Sequence, residues 1–470
     1  MNLTEEIKKE AVKLGADIVG IAPVERFKNA PLRMSPQGLL PDAKSVIVMG
    51  IHHLDAAVEL SGYPTSQDNL GPYHTQSSAQ NPKLDDLSFK MARFLEDKGV
   101  KALPITASNI WRYYGYKDLK VDFAPDLVHR YAAVAAGLGE IGWSGLFLNP
   151  EFGPRTRIVS VITDAQLTPD PMYSGEPLCD KCMECVKHCP TDCFRKEVKG
   201  MNNIEIGGKT FKFPDTNKWR CSWAENFALD LALKIPDKVD EKTALMYMEK
   251  YGQRGGEEGC CLKYCMSPSK RYYQKEYTDA PRRKKEIKKV SPKEILDKIK
   301  QIVKNNYLDI ISVGSKNDFK NNEFVHPELH LPDAESIISI GITVLPDTKT
   351  DEEFQRIIRR RIDFTTFEIT HYLDILGYSA TTNTHIPNEL VAQQLGIYSE
   401  NVYYATILTS AKLQSFSYQI KAKKEKIKKI DVIKLCEKQG ADMTGFFSNK
   451  RYEKFQKMQG KFCQIINTSL

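Results

Sequence analysis

The stretch CDKCMECVKHCP constrains this chain more than any other. Cys179, Cys182, Cys185 and Cys189 stand at C-x2-C-x2-C-x3-C with Pro190 directly behind. Three thiolates two residues apart on one tight loop can wrap three corners of a [4Fe-4S] cube, while the fourth, carried onto the following helix, faces a second cube. A zinc site normally pairs two C-x2-C knuckles at a distance instead. One such run therefore predicts a partner run. It lies downstream in degenerate form, as Cys221 alone and then CCLKYCMSP, with Cys260, Cys261, Cys265 and Pro268. The spacing assigns Cys179, Cys182, Cys185 and Cys265 to one cluster and Cys189, Cys221, Cys260 and Cys261 to the other, eight of the eleven cysteines. Cys193 is held in reserve, because the adjacent Cys260–Cys261 pair lacks the usual two-residue gap. Cys436 and Cys463 read as spectators.

A chain of 470 residues has room for two or three domains, and 41% hydrophobic with 27% charged residues is ordinary globular composition. No stretch approaches the roughly 18 consecutive apolar residues of a membrane helix. The opening MNLTEEIKKEAVKLG reads as an amphipathic helix rather than an export signal. Together with cysteines in metal-ligand spacing, this places the expected location in the reducing cytoplasm. The net charge of +7 comes largely from PRRKKEIKK at 281–289 and KAKKEKIKK at 421–429. Neither interleaves aromatics on a nucleic-acid module. Both read as solvated linker faces.

The rest of the chain reads as a duplication. EEIKKEAVKLG is a helix ending at Gly15, ADIVGIAP and LLPDAKSVIVMGIHH hold strands, DDLSFKMARFLEDKG is a second helix before ALPITAS, and RIVSVITD is a returning strand. SPKEILDKIKQIVKNNYLDIISVG, HLPDAESIISIGITV, FEITHYLDILGYSATT and YYATILTSAKL repeat that order after the cysteines, and DVIKLCEKQGADMTGFF opens a third, partial copy. The expected fold class is α+β. Its segments are 1–171, a cysteine module at 172–275, a degenerate repeat at 276–430 and a partial repeat at 431–470. Between the second strand and the second helix runs a polar loop with Tyr63, Tyr73 and His74, long enough to be a lid.

GLGEIGWSG matches G-x-G-x-x-G on paper, but a dinucleotide fingerprint follows a strand and opens a helix, and this one closes a helix. Helix capping explains Gly137 alone. Four glycines, Gly137, Gly139, Gly142 and Gly145, suggest backbone approaching a large flat cofactor. GADIVGIAPVERF, LPDAKSVIVMG, the D-x-A-P of Asp122 to Pro125, AGLGEIGWSG and NPEFGPRTR, followed by the double cysteine run, resemble in their order the cobalamin-dependent iron-sulfur reductases, namely epoxyqueuosine reductases and reductive dehalogenases. The resemblance covers about residues 1–275. It implies a nitroreductase-like core in two pseudo-repeated halves, with base-off cobalamin beside two [4Fe-4S] clusters in a ferredoxin-like insert. The positions expected around the corrinoid are Gly137, Leu138, Gly139, Glu140, Gly142, Ser144, Gly145, Phe152, Gly153 and Arg155. The acid implied by the resemblance is Asp122 or Tyr131, with His129 and Arg155 available to neutralise charge. Trp111, Tyr113, Tyr114 and Tyr116 are candidates for lining a pocket.

The expected activity is a two-electron reduction of an organohalide or epoxide, with electrons arriving from a ferredoxin or flavodoxin. Nucleic acid enters only if the substrate is a tRNA, and no membrane is involved. Two other readings stay open. One is an electron-transfer protein serving a separate corrinoid protein, and the other is a reductase of the same core carrying FMN.

Overall fold

The computed structural model describes residues 2–61, 76–111, 123–198, 200–227, 233–252, 259–344, 346, 352–382, 386–419, 429–438 and 441. The chain divides into two compact units, 1–419 and 420–470. The segments read separately from the sequence up to residue 419 thus share one body. In the second unit the described element is the helix Lys429–Lys438.

Helix α1 (Leu3–Lys13) starts where the Asn2 side chain accepts the Glu5 N–H, satisfying one of the donors a helix start leaves open. It stops before Gly15, whose φ of +103° suits a residue without Cβ. Strands β1 (Ile18–Pro23) and β2 (Ser45–His52) follow, then helix α2 (Asn81–Glu96), β3 (Ala102–Ile105), helix α3 (His129–Ala135) and β4 (Thr156–Thr163). They form an antiparallel sheet in the order β1-β2-β4-β3. Every residue of β2 is buried, as expected of a central strand covered on both faces. One face packs on α1 and α2 through Ile7, Ala11, Leu84, Leu87 and Met91. The other packs on α3.

The cysteine module leaves β4, passes a short helix at Glu184–Lys187 and a hairpin of β5 (Met201–Ile206) and β6 (Lys209–Pro214), and ends near the paired segments Arg271–Tyr272 and Arg282–Arg283. Helix α4 (Pro292–Asn305) then opens with a capping box between Ser291 and Glu294. Strands β7 (Ile310–Ser315) and β8 (Ser336–Thr343), the long helix α5 (Glu352–Ile375), β9 (Ala380–Thr382), helix α6 (Asn388–Gln394) and β10 (Val402–Thr409) build a second antiparallel sheet. Its order is β9-β10-β8-β7, with β11 (Phe416–Gln419) added beside β7. Apart from that extra edge, the two sheets share one arrangement of strands. Phe367 of α5 reaches into the core around the first sheet. Among the described residues no helix is long and apolar enough to cross a membrane.

Candidate functional site

The loop carrying the first three cysteines turns tightly because Lys181 and Met183 adopt φ of +56° and +66°, conformations unfavourable for side-chain-bearing residues and held by their surroundings. The loop brings Cys179, Cys182 and Cys185 to a pocket of about 350 Å³ open to solvent, and Cys265 joins them from behind the short helix Cys260–Lys263. Cys182 is exposed and Cys185 buried. The Trp143 N–H points at the Cys179 sulfur from 3.3 Å. Two contacts hold the loop in place: Glu140 accepts the Leu178 N–H at 3.1 Å, and Arg271 pairs with Asp180.

A second group adjoins the first. The sulfurs of Cys189 and Cys193 lie 3.4 Å apart, the Cys193 N–H donates to Cys189 at 3.3 Å, and Cys193 also contacts the Cys221 thiol. Cys261 feels Cys221 and Cys189 on one side and Cys185 and Cys265 on the other. The geometry thus draws in Cys193, which is 3% exposed, beside Cys189, Cys221 and Cys261. Cys260 sits at the first turn of the same short helix as Cys261.

These sulfurs are poorly suited to stand as free thiolates. Burial, then the neighbouring Cys179 and Cys182, pushes the Cys185 thiol up to about 11, and burial raises Cys261 and Cys265 further. Cys189 is the exception. Hydrogen bonding from Cys193 lowers it to about 5. Two adjoining sets of four soft sulfur donors, with amide N–H groups aimed at two of them, are a donor chemistry that fits iron-sulfur cubes.

The glycine-rich segment has a different reason from the one its spacing suggested. A Cβ on Gly137, whose φ is +74°, would fall 1.9 Å from the Pro171 carbonyl oxygen, and one on Gly139 would fall 1.9 Å from that of Leu148. Gly142, Gly145 and Gly153 likewise face Leu148, Phe213 and Met266. The chain's own atoms fill the space reserved for a flat cofactor. Leu138 packs beneath Gly20, Glu140 anchors the cysteine loop, and Ser144 lines the cysteine pocket. Phe152 is buried and stacks on His52 at 4.8 Å.

Arg155, expected at a cofactor, is fully buried and pairs with Asp55 at 2.8 Å and Glu59 at 2.7 Å. The run at 281–289, read as a solvated face, supplies Arg282, Arg283 and Lys285 to the same cluster. Arg282 pairs with Glu59, Arg283 with Asp55 and Asp374, and Lys285 with Asp374. Periodicity gave no warning of this, because the carboxylates that call those bases inward are distant in sequence.

Asp122, Tyr113, Tyr114, Tyr116, Tyr63, Tyr73, His74 and the side chain of Trp111 lie outside the described residues. Tyr131 is half-buried on α3 in the core of the first sheet, and burial raises its hydroxyl above the usual phenol range. His129 is satisfied by Ser160 Oγ at 2.9 Å and the Thr106 carbonyl at 2.8 Å. Burial lowers its pKa to about 4, so it is neutral and carries no charge to share.

A further group emerges beside the charge cluster. Asp17 Oδ2 accepts the His52 N–H at 2.8 Å and lies 2.9 Å from both His52 Nδ1 and His371 Nε2, while His52 Nε2 faces Asp374 Oδ1 at 3.3 Å. Burial disfavours charge on His52, but Asp17 and then Asp374 outweigh it and raise its pKa to about 9. Burial works against ionisation of Asp17 as well, and the facing histidines nevertheless hold it well below the usual carboxylate range.

No family model matches the chain. Tetrachloroethene reductive dehalogenases are similar to it: that of Dehalobacter restrictus is 27% identical over 47% of this chain and 45% of its own length, and that of Sulfurospirillum multivorans 32% over 48% of each. An epoxyqueuosine reductase of Cyclobacterium marinum is 28% identical over 45% of this chain and 68% of its own. The chain thus spans about half the length of the dehalogenases it matches. Among solved structures, an epoxyqueuosine reductase with a tRNA stem loop aligns at a TM-score of 0.30 and 20% identity over 41% of this chain and 52% of that one. A catabolic reductive dehalogenase with 3-bromo-4-hydroxybenzoic acid aligns at 0.36 and 18% over 56% and 31%. Both sets of curated relatives meet this chain in the order of motifs read from its sequence, and the chain belongs to the family of reductive dehalogenases and epoxyqueuosine reductases.

Proposed function

We propose that the chain is a reductase that holds one [4Fe-4S] cluster on Cys179, Cys182, Cys185 and Cys265 and a second on Cys189, Cys193, Cys221 and Cys261. Its electrons go to an organic substrate of the organohalide or epoxide class. The observation that carries this reading is the gathering of eight sulfurs from separate segments into two adjoining groups, with Cys261 between them. Bound clusters supply low-potential one-electron transfer. The amides of Trp143 and Cys193 donate to sulfur and stabilise its negative charge, which raises the potential. Glu140 and Arg271 fix the loop so that little reorganises on reduction. Tyr131, kept protonated by its raised pKa, is a proton donor by this reading, and Asp122 is the other candidate. Ferredoxin or flavodoxin is the proposed donor, and a tRNA enters only for an epoxyqueuosine substrate.

Base-off cobalamin is the acceptor that the family relation supports. The glycine segment does not fit it, being occupied by Pro171, Leu148, Phe213 and Met266, so the corrinoid contacts assigned there are withdrawn and no step is drawn through the group. The same filling favours a second reading, an iron-sulfur electron carrier for a separate corrinoid protein, or an FMN reductase with the nitroreductase-like duplication that the shared strand order supports.

Anaerobic reconstitution with iron, sulfide and cobalamin tests these readings. About eight irons per chain with a base-off corrinoid spectrum supports the corrinoid reductase. The same iron with no corrinoid taken up overturns it, and extraction of FMN then separates the flavin enzyme from the carrier. Loss of substrate turnover in Asp122→Asn or Tyr131→Phe, with cofactors intact, requires an enzyme.

A further inference from the structure

The group of Asp17, His52 and His371 does more than the fold demands. In the second half, Asp309 stands before β7 as Asp17 stands before β1, and its Oδ1 accepts the N–H of Thr343 at the end of β8 at 2.9 Å. Asp17 does the same for His52 at the end of β2. One carboxylate and one backbone amide therefore suffice to tie a helix-to-strand junction to its neighbour. Two imidazoles aimed at the same carboxylate oxygen are an addition confined to the first half, and one of them comes from the second half's helix α5.

His52 Nδ1, His371 Nε2 and Asp17 Oδ2 lie within 4.8 Å of one another, with both nitrogens 2.9 Å from the oxygen. Tetrahedral zinc with bonds of about 2.0–2.1 Å sets its ligand atoms roughly 3.3 Å apart, so shifts of a few tenths of an ångström open the site. The outer partners are in place too. His52 Nε2 faces Asp374, the arrangement by which a carboxylate orients a metal-bound imidazole. Asp374 is itself held by Arg283, Lys285 and the Asp55 N–H. Phe152 covers the His52 ring, whereas the His371 side chain is 19% exposed, leaving a side from which an ion and a water enter. Two imidazole nitrogens and a carboxylate oxygen suit a borderline divalent cation rather than calcium or magnesium.

We propose that Asp17, His52 and His371 form a binding site for a divalent transition ion of the zinc type, separate from the cysteine clusters, that fastens strand β2 to helix α5. Binding displaces the protons from His52 Nδ1 and His371 Nε2 and leaves the His52 N–H on Asp17. The proposal is independent of the reductase reading.

The test uses anaerobic, cluster-loaded protein, so that the cysteines are occupied, stripped with a mild chelator and titrated with Zn²⁺ against a chromophoric competitor. The expected result is one Zn²⁺ per chain with unchanged cluster iron, weakened in His371→Gln by at least about 100-fold, the upper range for losing even an outer partner. His371 is partly exposed, so this variant keeps the core. Asp17→Asn, which retains an acceptor for the His52 N–H, should weaken binding similarly. No uptake by the wild type, or equal uptake by both variants, overturns the proposal and leaves a proton-bridged contact between the halves.

Discussion

Replacing Asp374 by Asn should destabilise the protein more than replacing Arg155 by Met, although both remove one charge from the same buried cluster. Asp374 from α5 meets Arg283 at 3.3 Å, Lys285 at 3.3 Å, His52 at 3.3 Å and the Asp55 N–H at 2.9 Å. Its loss leaves Asp55 and Glu59 as the buried acids facing Arg155, Arg282, Arg283 and Lys285. Lys285 is then left with Asp55 at 3.5 Å and the Tyr378 carbonyl at 3.0 Å. Arg155→Met, by contrast, leaves three acids against three bases. Asp55 keeps Arg283, and Glu59 keeps Arg282. Breaking a buried pair by removing one partner costs about 3–5 kcal/mol, so Asp374→Asn belongs near the top of that range and Arg155→Met near the bottom. Urea unfolding of cluster-loaded protein, followed by intrinsic fluorescence and iron release together, measures both. A cycle with Glu59→Gln should recover part of the Arg155→Met loss, because the neutral amide no longer needs the missing cation. A neutral Asp374→Asn, or Arg155→Met as the costlier variant, would refute the charge argument.

Three further outcomes follow from the same geometry. Cys193→Ser should lower iron from about eight to about four per chain and Cys260→Ser should not, as iron analysis and electron paramagnetic resonance will show; the reverse pattern returns the second cluster to the ligands first read from the sequence. Gly137→Ala adds a methyl 1.9 Å from a carbonyl oxygen at φ +74°, so a loss of at least about 2 kcal/mol is expected in denaturant unfolding, and a silent variant would show that Pro171 yields. In metal-free protein, folding raises the His52 pKa from 6.5 to about 9. The folded state binds the proton more tightly, so this stabilisation is whole below pH 6.5 and is lost as pH rises through 9. It is worth on the order of 3 kcal/mol, and His52→Gln should flatten that limb of the stability curve.

What was legible in the sequence was what local pattern controls. Helical period and Gly15 located α1, the apolar runs SVIVMGIH and RIVSVITD became β2 and β4, and the matched order of elements on either side of the cysteines reappears as two sheets of one strand order. The first three ligands are close in sequence, so their spacing already describes a loop. What stayed hidden depends on partners far along the chain. Arg282, Arg283 and Lys285 look like any basic linker until Asp55, Glu59 and Asp374 are brought against them, and Cys193 looks spare until it lies beside Cys189 and Cys221. The glycines misled for a related reason, since a small residue reports that something is close without saying what. The His52–His371 approach had one faint signal: Asp17 and Asp309 occupy equivalent places, yet only the first faces histidine.

The cysteine module is held at both ends by charge rather than by a large apolar interface of its own, and this bears on how its clusters are positioned. Asp180, inside the ligand loop, pairs with Arg271. Arg271 lies opposite Arg283 in an antiparallel pair of segments, and Arg283 ends in the buried cluster with Asp55 and Asp374. Cys265, six residues before Arg271, is thereby tied to the same hairpin, and Met266 closes on Gly153 next to Phe152, which stacks on His52. Displacement of Arg283 would therefore reach the ligand loop through two peptide segments and one ion pair. It would reach Asp17 and His371 through Asp374 and His52. Electron transfer depends steeply on distance, and packed cores shift between discrete arrangements rather than deforming continuously. A fold in which both halves grip one buried carboxylate, Asp374, fixes the cysteine module against the two sheets more firmly than surface pairs would, because buried charges that lose a partner keep their full desolvation cost.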